Sequence, residues 1–254
     1  MIGIIDSGFG GLSIIAEMQK QEKEVPFVYL GDNLNNPYGT KTIAELEILA
    51  YEMIDFLVDT YKIKHLIIAC NTLVATVIDK IERRYPTLII HDILSHGAIA
   101  ATMSFSNAVA VIATKMTIQS HAYKQKIAEF NTDCLVQEVE AQSFVDYVES
   151  NTISQGGLVK TLSAIAPDTD MLILGCTHFP FLYDEIRLLI PEHIQLIDPA
   201  VSCVQQLVYE SSSTPADSVF LTTGNLNSFE YFLMIKQLNK NMLPVQKVVI
   251  KRSV

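Results

Sequence analysis

The sequence predicts an α/β protein built from two similar parallel-sheet domains related by pseudo-symmetry, with the active site in the cleft between them. Three observations carry the prediction. Apolar runs rich in Val, Ile and Leu alternate with longer amphipathic stretches, the βαβ rhythm of a parallel sheet covered on both faces. One strand-end motif occurs twice, as His65-Leu-Ile-Ile-Ala-Cys70-Asn71-Thr72 and as Met171-Leu-Ile-Leu-Gly-Cys176-Thr177-His178. A second pair agrees with it, because Ile2-Gly-Ile-Ile-Asp6-Ser7 resembles Ala110-Val-Ile-Ala-Thr114 at nearly the same separation as the two cysteines.

Taken in order, strands are expected at 2–5, 27–30, 65–69, 87–90, 108–113, 135–139, 171–174 and 195–197, where short apolar runs end in polar or glycine residues. Helical spacing of apolar residues covers 11–20, 42–60, 73–84, 117–130, 158–165 and 181–189. A boundary is expected near 94–97, at the end of the fourth strand. A polar stretch over 211–217 precedes a strand at 218–222, a helix around 228–238 and a last strand at 245–250. That tail is too short for a domain of its own and is expected to complete the first one. The expected division is therefore residues 1–94 with 209–254, and residues 95–208. In such sheets ligands bind beyond the carboxyl ends of the strands, which is where both cysteines fall.

Composition narrows the function. The chain has 254 residues, 49% hydrophobic and 18% charged, which suits a protein with well-buried strands and excludes a disordered one. A net charge of −10 with no Lys/Arg-rich run lacks the footprint of a nucleic-acid binder. Four scattered cysteines without a CxxC spacing argue against a disulfide framework and against a metal site, so reduced thiols are expected. No apolar run approaches the roughly 18 residues of a membrane helix. The chain starts directly with a strand, so a cytoplasmic enzyme or binding protein is the expectation.

Individual residues sharpen it. Asp6-Ser7-Gly8-Phe9-Gly10-Gly11 ends the first strand and opens a helix, and it reads first as a tight turn. Asp32 at the next strand end suggests a dinucleotide site, but the fingerprint from Gly8 would need glycine at position 13 and meets Ser13. Asp6 is better read as a carboxylate aimed into the cleft, able to accept a proton, orient an ammonium group or support a thiol. A lone buried cysteine is commonly a packing residue, and Cys134 and Cys203 are read so. Cys70 and Cys176 are each expected at a helix start, where dipole and free amides lower a thiol pKa from its usual ~8.5. Two thiols facing one another suit proton transfer on both faces of a flat intermediate. Asn71, Thr72 and Thr177, with Thr114 and Thr117 after the matching strand, read either as caps or as donors to carboxylates. His178 has a chemical neighbour in Cys176. Tyr38 and Gly39 sit in a turn able to close over a small ligand, and Glu149, within a helical segment, reads as a surface acid.

Together the motifs resemble the glutamate racemases of the aspartate/glutamate racemase superfamily. The matching stretches are Asp6-Ser-Gly-Phe-Gly-Gly-Leu-Ser13, Gly31-Asp32, Pro37-Tyr-Gly-Thr-Lys41, Ala69-Cys-Asn-Thr72, Ala113-Thr-Lys-Met-Thr-Ile-Gln-Ser120 and Gly175-Cys-Thr-His-Phe-Pro180. The resemblance implies cofactor-independent interconversion of L- and D-glutamate, supplying D-glutamate for peptidoglycan, by a homodimer. It also implies that Cys70 and Cys176 are the acid/base pair. Asp6, Ser7, Tyr38, Gly39, Asn71, Thr72, Thr177 and His178 would contact substrate or tune the thiols. Thr114 and Thr117 would line the site, and Glu149 would be an acid near the second cysteine. The chain departs from the family pattern at Leu34-Asn35-Asn36, Ser95-His96-Gly97 and Thr223-Gly224-Asn225. An aspartate racemase, and more remotely an amino-acid-binding protein without turnover, are the rival readings.

Overall fold

A computed structural model describes residues 1–103, 107–209 and 217–250. Among these residues, ten strands follow in chain order: β1 (Ile2–Asp6), β2 (Phe27–Gly31), β3 (His65–Ile68), β4 (Ile89–Asp92), β5 (Ala108–Ala113), β6 (Leu135–Glu140), β7 (Met171–Gly175), β8 (Gln195–Ile197), β9 (Val219–Thr222) and β10 (Val245–Lys247). They form a six-stranded sheet of order β10-β9-β2-β1-β3-β4 and a four-stranded sheet of order β6-β5-β7-β8. Every pairing is parallel. The central strands β1, β2 and β7 are buried at every residue, as the near-continuous apolar runs require.

Among the described residues, eleven α-helices cover the sheets: α1 (Leu12–Lys20), α2 (Ile43–Tyr61), α3 (Asn71–Arg84), α4 (Ile93–Thr102), α5 (Lys115–Ser120), α6 (Ala122–Ala128), α7 (Ser143–Glu149), α8 (Gln155–Leu162), α9 (Tyr183–Leu189), α10 (Pro199–Gln205) and α11 (Leu226–Ile235). The longest, α2, starts with a capping box in which Thr42 and Glu45 satisfy each other's backbone amides.

Several expected boundaries move, each for a local reason. The helix expected over 117–130 is two, α5 and α6, because His121 takes a left-handed conformation (φ 55°) and turns the chain between them. The fourth strand starts at Ile89, two residues late, where its pairing with His65 begins. Residues 94–97, read as a boundary, lie inside α4, which Asp92 caps by accepting the Ser95 amide at 2.6 Å. That helix packs on α6, α10 and β7. The helix expected over 181–189 divides into a 3₁₀ turn (Phe179–Leu182) and α9. The helix expected over 158–165 runs three residues earlier, because Ser154 caps it. The last strand stops at Lys247, and most of the polar stretch 211–217 falls outside the described residues.

The register sets up the site. Ile5 of β1 pairs with Ile68 of β3, and Ala113 of β5 pairs with Gly175 of β7. The chain therefore delivers Asp6 beside Cys70 in one sheet and Thr114 beside Cys176 in the other, at equivalent strand ends.

Candidate active site

These four strand ends meet around one narrow cavity. Cys70 and Cys176 both line it, and each is almost fully buried. Ser7, Tyr38, Gly39, Asn71, Thr72, Thr114, Thr177 and His178 line it with them. Asp6, Thr117 and Glu149, also singled out from the sequence, stand one layer behind: they touch lining residues and not the cavity. About 10 Å³ of open space remains, room for about one water, so a larger ligand enters only if the walls part.

Among the hydrogen bonds that cross the cleft, two occupy matching places in the two halves. Thr177, just after Cys176, donates to Asp6 Oδ1 at 3.1 Å. Thr72, two residues after Cys70, shares a hydrogen bond with Thr114 at 2.9 Å, and Thr114 shares another with Thr117 at 2.9 Å. Each strand-end group of one sheet is thus held by the turn that follows a cysteine of the other.

The two thiols differ in setting. Cys70 is the N-cap of α3, as the sequence suggests. Its pKa is nevertheless raised, not lowered: burial is the main cause and the Asp6 carboxylate adds to it, outweighing the amides of Leu73 and Thr72. A helix start lowers a thiol pKa only while the thiolate keeps enough solvation, and here it does not. Cys176 precedes no α-helix; it sits in the turn before the 3₁₀ segment, its sulfur 3.6 Å from His178 Nδ1.

His178 is buried and its Nε2 lies 2.7 Å from Glu149 Oε1. Burial alone would lower the imidazole pKa, but Cys176 and Glu149 together raise it well above the usual 6.5. Glu149, by itself a surface acid in the sequence but placed near the second cysteine by the resemblance, is half-buried and paired with His178, and it also accepts the Phe9 amide at 3.4 Å. Asp6 is fully buried. Burial raises its pKa, against the lowering effect of charged His178 and of hydrogen bonds from the Gly11 and Gly8 amides and Thr177. The glycine-rich turn permits these approaches: a Cβ on Gly10 would collide with His178 and come within 2.5 Å of Thr177 Oγ1.

Asp32 does not face a ribose site. Its oxygens accept from Tyr38 Oη (2.5 Å), Thr223 Oγ1 (2.6 Å) and Asn35 Nδ2, which fixes the turn carrying Tyr38 and Gly39. Cys203 is fully buried in α10, its pKa pushed up to about 12 by burial, and half-buried Cys134 lies away from the cavity. Among the described residues, no group of three or more His, Cys, Asp or Glu could hold a metal ion, and no helix is long and apolar enough to cross a membrane.

Four further lining residues were not singled out as site residues in the sequence: Asn36, Pro37, Gln142 and Val145. A signal existed for two of them. Gln142, Val145 and Glu149 are spaced i, i+3 and i+7, so the cap and one face of α7 present all three to the same side.

The site thus sets two thiols on one cavity, Cys70 with Asp6 beside it and Cys176 with His178 beside it. Residues 2–207 match the model of the Asp/Glu/Hydantoin racemase family. The chain belongs to this family. It is 36% identical to a glutamate racemase of Pediococcus pentosaceus over 243 residues, covering 90% of this chain and 91% of that one. Among solved structures, glutamate racemase isoform RacE1 from Bacillus anthracis superposes with a TM-score of 0.87 at 27% identity, covering 98% and 97% of the two chains. Glutamate racemase from Francisella tularensis, solved in complex with D-glutamate, gives a TM-score of 0.85 at 27% identity, covering 99% and 98%.

Proposed function

We propose that this protein interconverts L- and D-glutamate by moving the α-proton between Cys70 and Cys176, without a cofactor. The protein is an isomerase of the amino-acid racemase class, and its relatives act on glutamate by name. The observation that carries the mechanism is the pair of thiols at equivalent strand ends facing one cavity.

One sulfur, as thiolate, takes the proton from Cα, and the other, as thiol, returns a proton to the opposite face. The reverse reaction exchanges their roles, and the proton count is unchanged over a cycle. The buried His178 imidazolium stands 3.6 Å from the Cys176 sulfur, where its charge stabilises a thiolate. Burial and Asp6 hold the proton on Cys70. The two sulfurs therefore stand in unlike settings, Cys70 beside a carboxylate and Cys176 beside an imidazole. The carbanion-like transition state depends on fixed dipoles in a site closed to water: the amides at the start of α3 and the hydroxyls of Thr72, Thr114 and Thr177. Ser7, Asn71, Tyr38 and Gly39 complete the substrate contacts.

The same reading divides the chain into residues 1–94 with 209–254 and residues 95–208. It makes the protein a cytoplasmic homodimer whose product feeds peptidoglycan. Purified protein in D₂O, given L- or D-glutamate and no cofactor, is expected to incorporate deuterium at Cα and to racemise from either side, read by proton NMR and optical rotation. Activity on aspartate alone would transfer the assignment to an aspartate racemase, and silence with both would leave binding without turnover.

A further inference from the structure

We infer that Gln142 is a substrate-contacting residue that donates its side-chain amide to the carboxylate at the far end of the substrate, so that it reads the length of the amino acid. The inference rests on the reading above that the substrate is a dicarboxylic amino acid.

The cavity has two chemically different ends. At one, Ser7, Thr177 and His178 stand in front of buried Asp6 and half-buried Glu149. Two carboxylates set against one imidazolium there attract the substrate ammonium group and repel a second carboxylate. At the other end lie Gly39, Thr114 and Gln142, none of them acidic. Asp32, behind Tyr38, is already covered by hydrogen bonds from Tyr38, Thr223 and Asn35. With Cα held between the sulfurs, the side-chain carboxylate is directed to this second end.

At that end the carboxylate has no cation waiting for it, because no lysine or arginine lines the cavity and the His178 imidazolium stands at the opposite end. It must be bound by neutral donors. The Thr114 hydroxyl is already engaged with both Thr72 and Thr117. Gln142 is different. Its Oε1 accepts the Lys115 amide at 3.3 Å and packs so closely on Gly39 that a Cβ there would collide with it. This anchors the side chain across the cleft mouth, from α7 to the turn after β2. With Oε1 committed, Nε2 is the group left to donate, and among the described residues it has no protein partner.

The test compares wild type with Q142L, which keeps the volume and removes the donor, and with Q142E, which keeps the shape and adds a repelling charge. Steady-state kinetics are measured with L-glutamate and L-aspartate. In Q142L the KM for glutamate is expected to rise about 10- to 100-fold, the loss of one hydrogen bond to a charged group, with kcat within about twofold. Q142E is expected to raise KM further. A wild type active on glutamate with an unchanged KM in Q142L overturns the inference and leaves the function standing, as does a loss confined to kcat. A wild type inactive on glutamate overturns the function itself. Q142N guards against misfolding: a native thermal midpoint with a raised KM, from a donor withdrawn by one methylene, supports the inference, and a native KM overturns it.

Discussion

Cys70 and Cys176 end their strands alike and differ in what stands behind them. Cys70 caps a full helix, yet burial and the Asp6 carboxylate keep its proton on. Cys176 has no helix behind it and has His178 instead, kept protonated with the help of Glu149. The pseudo-symmetric scaffold supplies position twice over. The protonation state comes from neighbours that the symmetry does not repeat, and a two-base reaction needs that inequality, since one sulfur must start bare and the other loaded.

The largest expected effect asks whether both sulfurs are needed. C70A and C176A should each cut racemisation by about 10²–10⁴-fold or more, the contribution of a positioned acid or base. Near wild-type rates by polarimetry in either variant would break the comparison at its root.

Next come the supporting acids. E149Q and D6N should each lower kcat about 10- to 100-fold, the loss of a hydrogen bond to a charged group. Because two enantiomers are equally stable, no variant changes the ratio of kcat/KM in the two directions. The asymmetry appears in isotope effects instead. With α-deuterated substrate, E149Q should enlarge the effect for the enantiomer deprotonated by Cys176, and D6N for its mirror image; identical effects would show that the two settings are interchangeable. E149Q also removes a partner that raises the His178 pKa, so the alkaline limb of its pH–rate profile should move to lower pH.

Smaller effects are expected from the cross-cleft hydrogen bonds. T72V removes a hydrogen bond between two hydroxyls and should cost about 0.5–1.5 kcal/mol of unfolding free energy in denaturant titrations, whereas T177V removes one to a carboxylate and should cost about 1.5–3 kcal/mol. T177V should cost more, because it leaves a buried carboxylate short of a donor. The reverse order would argue that Asp6 is protonated in the resting protein.

The smallest effect contrasts His178 with two histidines outside the cavity. His91 and His96 stack 6.3 Å apart at the start of α4, and burial lowers the pKa of both. A folded-state pKa below the unfolded 6.5 means that the unfolded chain binds more protons as the pH falls. These groups therefore cost nothing above 6.5 and destabilise the fold progressively below it. A double H91N/H96N variant should show a flatter decline of thermal midpoint between neutral pH and pH 5; a decline matching wild type would place the acid sensitivity elsewhere.

Much of this was legible before any coordinates. Parallel strands buried on both faces need uninterrupted apolar runs, so β1, β2, β3, β5 and β7 announce themselves, and polar residues directly after such runs stand out as strand-end chemistry. Asp6, Cys70, Thr114 and Cys176 were found that way. Elements whose limits depend on a partner were read less well. A left-handed residue at His121 breaks one helix, and pairing with β3, rather than local propensity, starts β4 at Ile89.

What the sequence by itself determined is the α/β alternation, the duplicated strand end and the residue types delivered there, because each is written in local periodicity. Only the tertiary structure decided that Gln142 lines the cavity and Glu149 pairs with His178, that Thr177 serves Asp6 and Thr72 serves Thr114, and that Cys70 keeps its proton at a helix start. The physical reason is common to all three. Each depends on what the other sheet brings within hydrogen-bond distance and on the water that closure removes, and neither is a property of any stretch of chain taken alone.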